Sequence, residues 1–269
     1  MFCLPSVTLT LAALGSLVPF AQADVVLTKK IMDLALDSAK LSAIAYDTFP
    51  LTDLSGFDYI NNYLDEPDQA LVAKKDGYCF AVFRGTTMTV DDWAQNFKLG
   101  TDDICTSSTE NKQCCVTRSG FYEAYYTSYM NEFESDLRAC AKECKEIDEC
   151  VVVTGHSQGG ALAALGGIRF TDLNPYVFTF GQPPTIDIPC KVVDSERWYR
   201  FVNTKETEFG TIGITYDPVP FAPGLGTDLL GHMIILGADT QHVAYIGLDA
   251  NDKFSPVSQQ SRNASQKIN

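Results

Sequence analysis

The sequence predicts an α/β protein with a mainly parallel central sheet flanked by helices. Short runs rich in β-branched and aromatic residues, such as Cys150–Thr154, alternate with segments in which apolar residues recur at helical spacing. This alternation is typical of parallel strands whose two faces are covered by helices. The chain has 269 residues, of which 45% are hydrophobic and 20% charged. That composition supplies a full core and excludes a disordered chain or a fibre.

The predicted elements follow one another in a regular order. The pattern predicts strands at Tyr78–Phe83, Cys150–Thr154, Tyr176–Phe180 and Trp198–Val202, and helices at Ile31–Tyr46, Phe121–Cys144 and Gln158–Phe170. Two further segments are predicted to be loops. Thr101–Arg118 is rich in Ser and Thr and holds three cysteines, which indicates a cross-linked surface loop, and Thr204–Tyr216 is polar with two glycines.

Residues 1–23 are predicted to be a signal peptide. They contain no charged side chain, Leu9–Phe20 is apolar, and Ala21-Gln22-Ala23 has the small-x-small form of a signal peptidase site. A membrane anchor is the alternative, but Pro19 interrupts an apolar run shorter than the roughly 20 residues of a spanning helix. We therefore expect secretion, no transmembrane segment, and one domain over residues 24–269 with a flexible polar tail from about residue 255.

The cysteines and the charge restrict the class of function. Without Cys3, eight cysteines remain, and an even number in a secreted chain indicates disulfides, although the pairing cannot be deduced from sequence. Cys140 and Cys144 have helical spacing, but no histidine lies nearby, so no metal is expected. Asn263 begins a glycosylation sequon in the tail. The net charge of −14 argues against nucleic acid or an anionic membrane as a partner.

Gly155-His156-Ser157-Gln158-Gly159 has the G-x-S-x-G pattern of a nucleophile elbow. A predicted strand precedes it and a predicted helix follows it, which is the context that the elbow requires. The serine must stand on a strained, tight turn, and glycines on either side remove side chains that would collide there. The start of the helix directs backbone N–H groups towards developing negative charge.

A serine hydroxyl needs a general base, and the chain has three histidines. His156 adjoins Ser157 but points elsewhere around the turn, so it is interpreted as packing support. His232 and His242 remain, and the residues alone do not separate them. The expected order in this architecture is serine, then acid, then histidine.

Six motifs occur in a fixed order along the chain, and together they resemble one family. They are Phe83-Arg-Gly-Thr86, Ser119-Gly-Phe-Tyr-Glu-Ala-Tyr125, Gly155-His-Ser-Gln-Gly-Gly160, Phe178-Thr-Phe-Gly-Gln-Pro183, Asp217-Pro-Val-Pro220 and Gln241-His-Val-Ala-Tyr245. The set resembles the fungal-type class 3 lipases of the α/β-hydrolase superfamily, from about Ile31 to about Gly247. The resemblance implies the α/β-hydrolase fold.

The resemblance also implies a role for individual residues. Ser157 matches the nucleophile, Asp217 the triad acid and His242 the general base, whereas His232 matches a histidine that is usually structural. The backbone N–H groups of Gln158 and Thr86 match the two donors of the oxyanion hole. Because the stretch from Asn203 to Asp217 is longer than the family leads us to expect, Asp187 and Asp194 stay open as alternative acids.

A short amphipathic helix is predicted directly after Thr86. Four apolar residues share one face at i, i+3, i+4 and i+7 spacing: Val90, Trp93, Ala94 and Phe97. In the family that the chain resembles, such a segment covers the active site and swings away at an oil–water interface. A permanently docked helix is the alternative.

We therefore expect a secreted serine carboxylester hydrolase that acts as a triacylglycerol lipase. Its substrate would be an ester lipid at an oil–water interface, and the enzyme would be a monomer without metal or cofactor. A phospholipase A1 and a feruloyl-type esterase are the alternatives within this class. A hydrolase-like binding module without catalytic activity is the alternative outside it.

Overall fold

A computed structural model of the chain describes residues 27–47, 56–65, 68–85, 100–108, 112–127, 130–144, 149–187, 190, 195–206, 212–215, 217, 219–221 and 231–236. Several predicted features lie outside these ranges. They are the signal peptide, Asp194, the polar tail, the oxyanion residue Thr86, the lid residues Val90, Trp93 and Phe97, the general base His242 and the sequon residue Asn263.

Within the described residues the strands are β1 (Asp58–Asp65), β2 (Asp68–Lys75), β3 (Tyr78–Phe83), β4 (Thr101–Cys105), β5 (Cys114–Arg118), β6 (Val151–His156), β7 (Tyr176–Phe180), β8 (Trp198–Val202), β9 (Thr204–Glu206), β10 (Ile212–Thr215) and β11 (His232–Ile235). The α-helices are α1 (Lys29–Ile44), α2 (Ser119–Tyr125), α3 (Met130–Lys142) and α4 (Gln158–Arg169). Short 3-10 turns occupy Thr171–Leu173, Ser195–Arg197 and Val219–Phe221.

Seven of these strands form the central sheet, in the order β1-β2-β3-β6-β7-β8-β11. The strands from β3 to β11 are parallel, and β1 and β2 extend one edge with antiparallel pairing. Since parallel strands end at the same edge, the carboxyl ends of β3, β6, β7, β8 and β11 face one side of the sheet. The prediction of a mainly parallel sheet is confirmed.

Helices cover both faces of the sheet, as predicted. On one face, Leu34 and Leu41 of α1 pack in a cluster with Phe80, Val152 and Phe178. On the other face, residues of α3 and α4 pack with the alternate side chains of the same strands, among them Phe83, Phe133, Leu137, Val153 and Leu165. Both faces of β6 are therefore buried, which explains its continuous apolar sequence.

Helix α1 begins at Thr28, whose hydroxyl accepts a hydrogen bond from the backbone N–H of Ile31 at 3.3 Å. This N-cap satisfies one of the first free N–H groups of the helix. The apolar residues that follow at helical spacing, Ile31, Leu34, Ala35 and Leu41, are buried against the sheet. The helix leaves Tyr46 at the carboxyl edge of the sheet, next to the end of β6.

Two predictions of secondary structure were wrong. The single helix predicted over Phe121–Cys144 is two helices, α2 and α3, because Tyr126 leaves helical geometry with φ −88° and ψ 57°. The loop predicted over Thr101–Arg118 contains the antiparallel hairpin of β4 and β5, in which Ile104 and Cys115 are buried. The sequence there alternates between a buried and a solvated face, and its Ser and Thr content hid that alternation.

Three further differences concern strands. The predicted loop Thr204–Tyr216 contains the short antiparallel pair β9 and β10. The edge strand β1 and its neighbour β2 were not predicted, because Asp, Asn and Lys occur along them. Strand β11 was not predicted either, and it extends the sheet beyond β8.

Four disulfides link the described cysteines, as the even count predicted. They are Cys79–Cys140, Cys105–Cys114, Cys115–Cys190 and Cys144–Cys150. Cys140 and Cys144, whose spacing raised the question of zinc, thus belong to two different disulfides. Among the described helices, none has the length and apolar character needed to cross a bilayer.

Candidate active site

Ser157 lies on the turn between β6 and α4, as the motif predicts. Its backbone has φ 58° and ψ −126°, a conformation that residues other than glycine rarely adopt. The backbone N–H of Ser157 donates to the carbonyl oxygen of Phe180 in the neighbouring strand at 2.9 Å. The strained turn is therefore fixed to the sheet on one side and to a helix on the other, which is the backbone geometry of a nucleophile elbow.

The two glycines of the motif are required by close packing. A Cβ atom on Gly155 would lie 2.1 Å from the carbonyl oxygen of Gly159. A Cβ atom on Gly159 would lie 2.2 Å from the carbonyl oxygen of Phe83, at the end of β3. Backbone atoms cannot yield as a flexible side chain can, so any larger residue would force the turn apart. The glycines thus let the elbow and the end of β3 come into direct contact.

Gln158 is the first residue of α4, so its N–H is one of the groups at a helix N-terminus that have no acceptor within the helix. The carbonyl oxygen of Ser157 accepts from the N–H groups of Gly160 at 2.9 Å and Ala161 at 3.3 Å, which begins the helical pattern. The N–H groups and the dipole of this terminus favour negative charge beside Ser157.

Asp217 is fully buried beyond the end of β8. Its backbone N–H donates to the carbonyl oxygen of Asn203 at 3.2 Å. One carboxylate oxygen, Oδ1, accepts from the N–H of Val219 at 2.9 Å. Since β6 and β8 are parallel and flank β7, Ser157 and Asp217 lie on the same edge of the sheet.

The alternative acid Asp187 has a different setting. Its backbone N–H donates to the carbonyl oxygen of Val116 in β5 at 2.9 Å. Asp187 is thus attached to the β4–β5 hairpin, whereas Asp217 is attached to the residue that follows β8.

The described histidines occupy different places. His156 is buried, and its Nδ1 lies 2.9 Å from the hydroxyl of Tyr46. His232 opens β11 beside Tyr199, near the start of β8, and its Nε2 lies 3.7 Å from a carboxylate oxygen of Glu196. The residue that follows β11, Leu236, donates its N–H to Val202 at 3.0 Å, at the edge where Ser157 lies. His232 and Leu236 are four residues apart along the extended chain, which corresponds to about 13 Å.

Sequence analysis missed the polar contacts that hold the end of β3. The backbone N–H of Arg84 donates to the carbonyl oxygen of Gln69 at 2.9 Å, and the Arg84 guanidinium also donates to the side-chain oxygen of Gln69. The hydroxyl of Tyr46 contacts Gly85 as well as His156. These contacts join residues far apart in the chain, so no local pattern could have indicated them.

The family model for class 3 lipases matches residues 80–226, which is more than half of the 269 residues. The chain belongs to the class 3 lipase family. The matched range includes both Ser157 and Asp217. No curated protein matches this class 3 lipase in a sequence comparison.

Solved structures of fungal lipases share the fold of this class 3 lipase. The lipase–propeptide complex of Rhizomucor miehei is 22% identical with a TM-score of 0.52, and the match covers 73% of this chain and 64% of that one. The present chain thus spans a little under two thirds of the Rhizomucor chain. Lip2 lipase from Yarrowia lipolytica is 19% identical with a TM-score of 0.56, and the match covers 78% and 80% of the two chains. Lipase from Rhizopus microsporus var. chinensis is 17% identical with a TM-score of 0.55, covering 90% and 87%.

Family and fold together establish a lipase-type carboxylic ester hydrolase with an α/β-hydrolase fold.

Proposed function

We propose that this class 3 lipase is a secreted triacylglycerol lipase in which Ser157, His242 and Asp217 form the catalytic triad. The observation that carries the proposal is the strained turn at Ser157, with φ 58°, on the sheet edge where Asp217 is buried. Such a backbone conformation costs free energy, of the order of 1–3 kcal/mol, and is retained where it serves a site.

His242 is proposed as the base on the basis of strand order. Residue 242 follows β11 by a few residues, and β11 ends next to Val202 at the edge that holds Ser157 and Asp217. His232, at the other end of the same strand, lies 3.7 Å from a carboxylate oxygen of Glu196 and contacts the ring of Tyr199 with 5.4 Å between centroids. That setting supports a structural role for His232.

The reaction follows from these assignments. Ser157 Oγ attacks the ester carbonyl carbon while His242 takes its proton, and the carbonyl oxygen becomes an oxyanion. The N–H groups of Gln158 and Thr86 stabilise that oxyanion. The C–O bond to the alcohol then breaks, His242 protonates the leaving alcohol, and an acyl-enzyme remains. Water, deprotonated by His242, attacks the acyl-enzyme, and the fatty acid leaves as Ser157 regains its proton. Asp217 stabilises the imidazolium in both halves.

The substrate and the location are proposed from other features. The chain belongs to a lipase family and is strongly acidic. Acylglycerols are uncharged, so the negative charge of the protein does not repel them. The segment containing Val90, Trp93 and Phe97 is proposed to cover the site and to contact lipid at an oil–water interface. Secretion is supported by the four disulfides, which form and persist in oxidising compartments. We propose one domain over residues 24–269, a monomeric enzyme, and glycosylation at Asn263.

A substrate panel tests the proposal. Purified enzyme is assayed on emulsified triacylglycerol, phosphatidylcholine vesicles, a feruloyl ester and a dissolved short-chain ester. We expect the highest rate on the emulsion. Ser157→Ala should lower that rate by several orders of magnitude. Ser107→Ala is the control: the hydroxyl of Ser107 donates a hydrogen bond to Asp172, and its replacement should leave the rate unchanged. A higher rate on vesicles or on the feruloyl ester would replace the proposed substrate, and activity retained in Ser157→Ala would refute the nucleophile.

A further inference from the structure

The hydroxyl of Tyr46 bridges two segments that each precede a proposed catalytic group. Tyr46 follows α1, and its Oη lies 2.9 Å from Nδ1 of His156, the residue before Ser157. The same Oη lies against Gly85, the residue before Thr86, where a Cβ atom would be only 2.1 Å from it. One side chain thus contacts both the elbow and the end of the strand that leads to the second oxyanion donor.

The phenol of Tyr46 is a neutral hydrogen-bonding group. Burial raises the pKa of Tyr46 above its usual value, so the phenol stays neutral and has one proton to donate. It can also accept, so it can form the hydrogen bond to Nδ1 of His156 in either tautomer of that ring.

The packing around the bridge is tight. A Cβ atom on Gly85 would lie 2.1 Å from Oη of Tyr46 and 2.6 Å from the carbonyl oxygen of His156. Gly159 touches Phe83 just before the same strand end. The Tyr46 hydroxyl therefore packs closely against both Gly85 and His156.

Other contacts anchor the end of α1 in the same place. The hydroxyl of Ser42 lies 3.2 Å from that of Thr154 in β6, and both residues are buried. The side-chain amide of Gln69 donates to the carbonyl oxygen of Asp47 at 3.5 Å, and Gln69 also holds Arg84. These bonds keep Tyr46 from drifting relative to either segment.

We propose that Tyr46 is a positioning residue for ester hydrolysis, setting the distance between the end of β3 and the nucleophile elbow through Gly85 and His156. The inference rests on the proposed function. Loss of the bridge would shift the oxyanion donors relative to Ser157, and donors of this kind act only when they face the developing oxyanion. The effect should therefore appear in transition-state binding and not in binding of the substrate.

The test compares Tyr46→Phe with Tyr63→Phe on a dissolved p-nitrophenyl ester. Tyr63 is a matched control, because it is a buried tyrosine whose hydroxyl is hydrogen-bonded, to Asp136 at 2.5 Å, on the opposite face of the sheet. We expect Tyr46→Phe to lower kcat between about tenfold and hundredfold with KM unchanged. The Ki of an alkyl boronic acid, which forms a tetrahedral adduct with the serine, should rise by the same factor. Tyr63→Phe should change neither quantity.

A second pair of variants keeps the proposal testable if Tyr46→Phe folds poorly. His156→Asn retains a polar side-chain partner for the Tyr46 hydroxyl, whereas His156→Leu removes it. We expect kcat to be higher in His156→Asn than in His156→Leu, and the double variant Tyr46→Phe/His156→Leu to be no slower than the slower single variant.

Equal kcat and Ki in Tyr46→Phe and the wild-type enzyme would overturn the positioning role. So would a fall in kcat that the boronic acid Ki does not follow. Ser157→Ala, assayed alongside, distinguishes the two failures: if it stays active, the proposed function fails, and if it is inactive while Tyr46→Phe is fully active, only this inference fails.

Discussion

The backbone N–H of Asp217 donates to the carbonyl oxygen of Asn203, although a hairpin of β9 and β10 lies between them in the chain. Asn203 follows the last residue of β8. The hydrogen bond therefore holds Asp217 next to the end of β8, although thirteen residues separate it from Asn203 in the chain. The chain between Asn203 and Asp217 thus returns the carboxylate to the end of β8.

If Asp217 is the triad acid, Asp217→Asn should lower kcat/KM by about 10⁴-fold, because an amide cannot stabilise the imidazolium. The side-chain oxygen of asparagine can still accept from Val219, so the fold should persist, and circular dichroism checks it. Asp187→Asn is the matched control, and we expect it to retain activity. A loss confined to Asp187→Asn would transfer the role of acid to Asp187.

The two remaining histidines should differ in the same assay. His242→Gln should abolish ester hydrolysis, since Ser157 then lacks a base. His232→Gln should retain nearly full activity, because His232 lies at the far end of β11 beside Tyr199. The kcat/KM of each purified variant is the measurement, and an inactive, folded His232→Gln would contradict the assignment.

Gly159→Ala should destabilise the fold and inactivate the enzyme. The new methyl group would lie 2.2 Å from the carbonyl oxygen of Phe83, and overpacking of this kind costs about 3 kcal/mol. Gly77→Asn is the control, because Gly77 has a positive φ of 84°, no atom lies within 4 Å of its Cβ position, and asparagine tolerates that backbone. Urea unfolding measures the midpoint and the free energy of unfolding of each variant. Equal midpoints for the two variants would show that the elbow tolerates a side chain.

Asp68 should make the protein less stable as pH rises. The pKa of Asp68 is raised from 3.8 to about 6, mainly because the carboxyl group is buried. The positive charge of Arg84 lowers this pKa, and the negative charge of Asp65 raises it by a smaller amount. Between these two values the folded state binds more protons than the unfolded state, so stability falls as pH increases through that window and stays lower above it.

Asp68→Asn removes this ionisation. We expect its Tm to exceed that of the wild type at pH 8 and the difference to shrink towards pH 4. Asp103→Asn, at an exposed site on β4, is the control. A difference in Tm that is the same at pH 4 and pH 8 would contradict the prediction.

The elbow could be predicted from sequence because its determinants are local. Gly155, Ser157 and Gly159 lie within one turn, and the strand and helix on either side have clear periodic patterns. The buried strands of the sheet were equally clear, because both faces are covered and each reads as a continuous apolar run.

The elements that were missed depend on contacts with distant parts of the chain. Strands β1 and β2 contain many polar residues, and they form strands because β2 pairs with β3 and β1 pairs with β2. The hairpin of β4 and β5 looked like a loop, because the Ser and Thr content of this segment hid the alternation of buried and polar residues. The bridge from Tyr46 to Gly85 and His156 joins three segments that no sequence window contains together.

The four disulfides of the described residues join cysteines between positions 79 and 190. The nucleophile Ser157 lies within this cross-linked part of the chain. The proposed acid and base follow the last linked cysteine, Cys190. Heating should accordingly loosen the part that follows β8, which includes the edge strand β11, before the part that the disulfides link. Catalysis would then be lost at a temperature where most backbone amides around Ser157 still resist hydrogen exchange, and brief heating would leave a protein that recovers its activity on cooling.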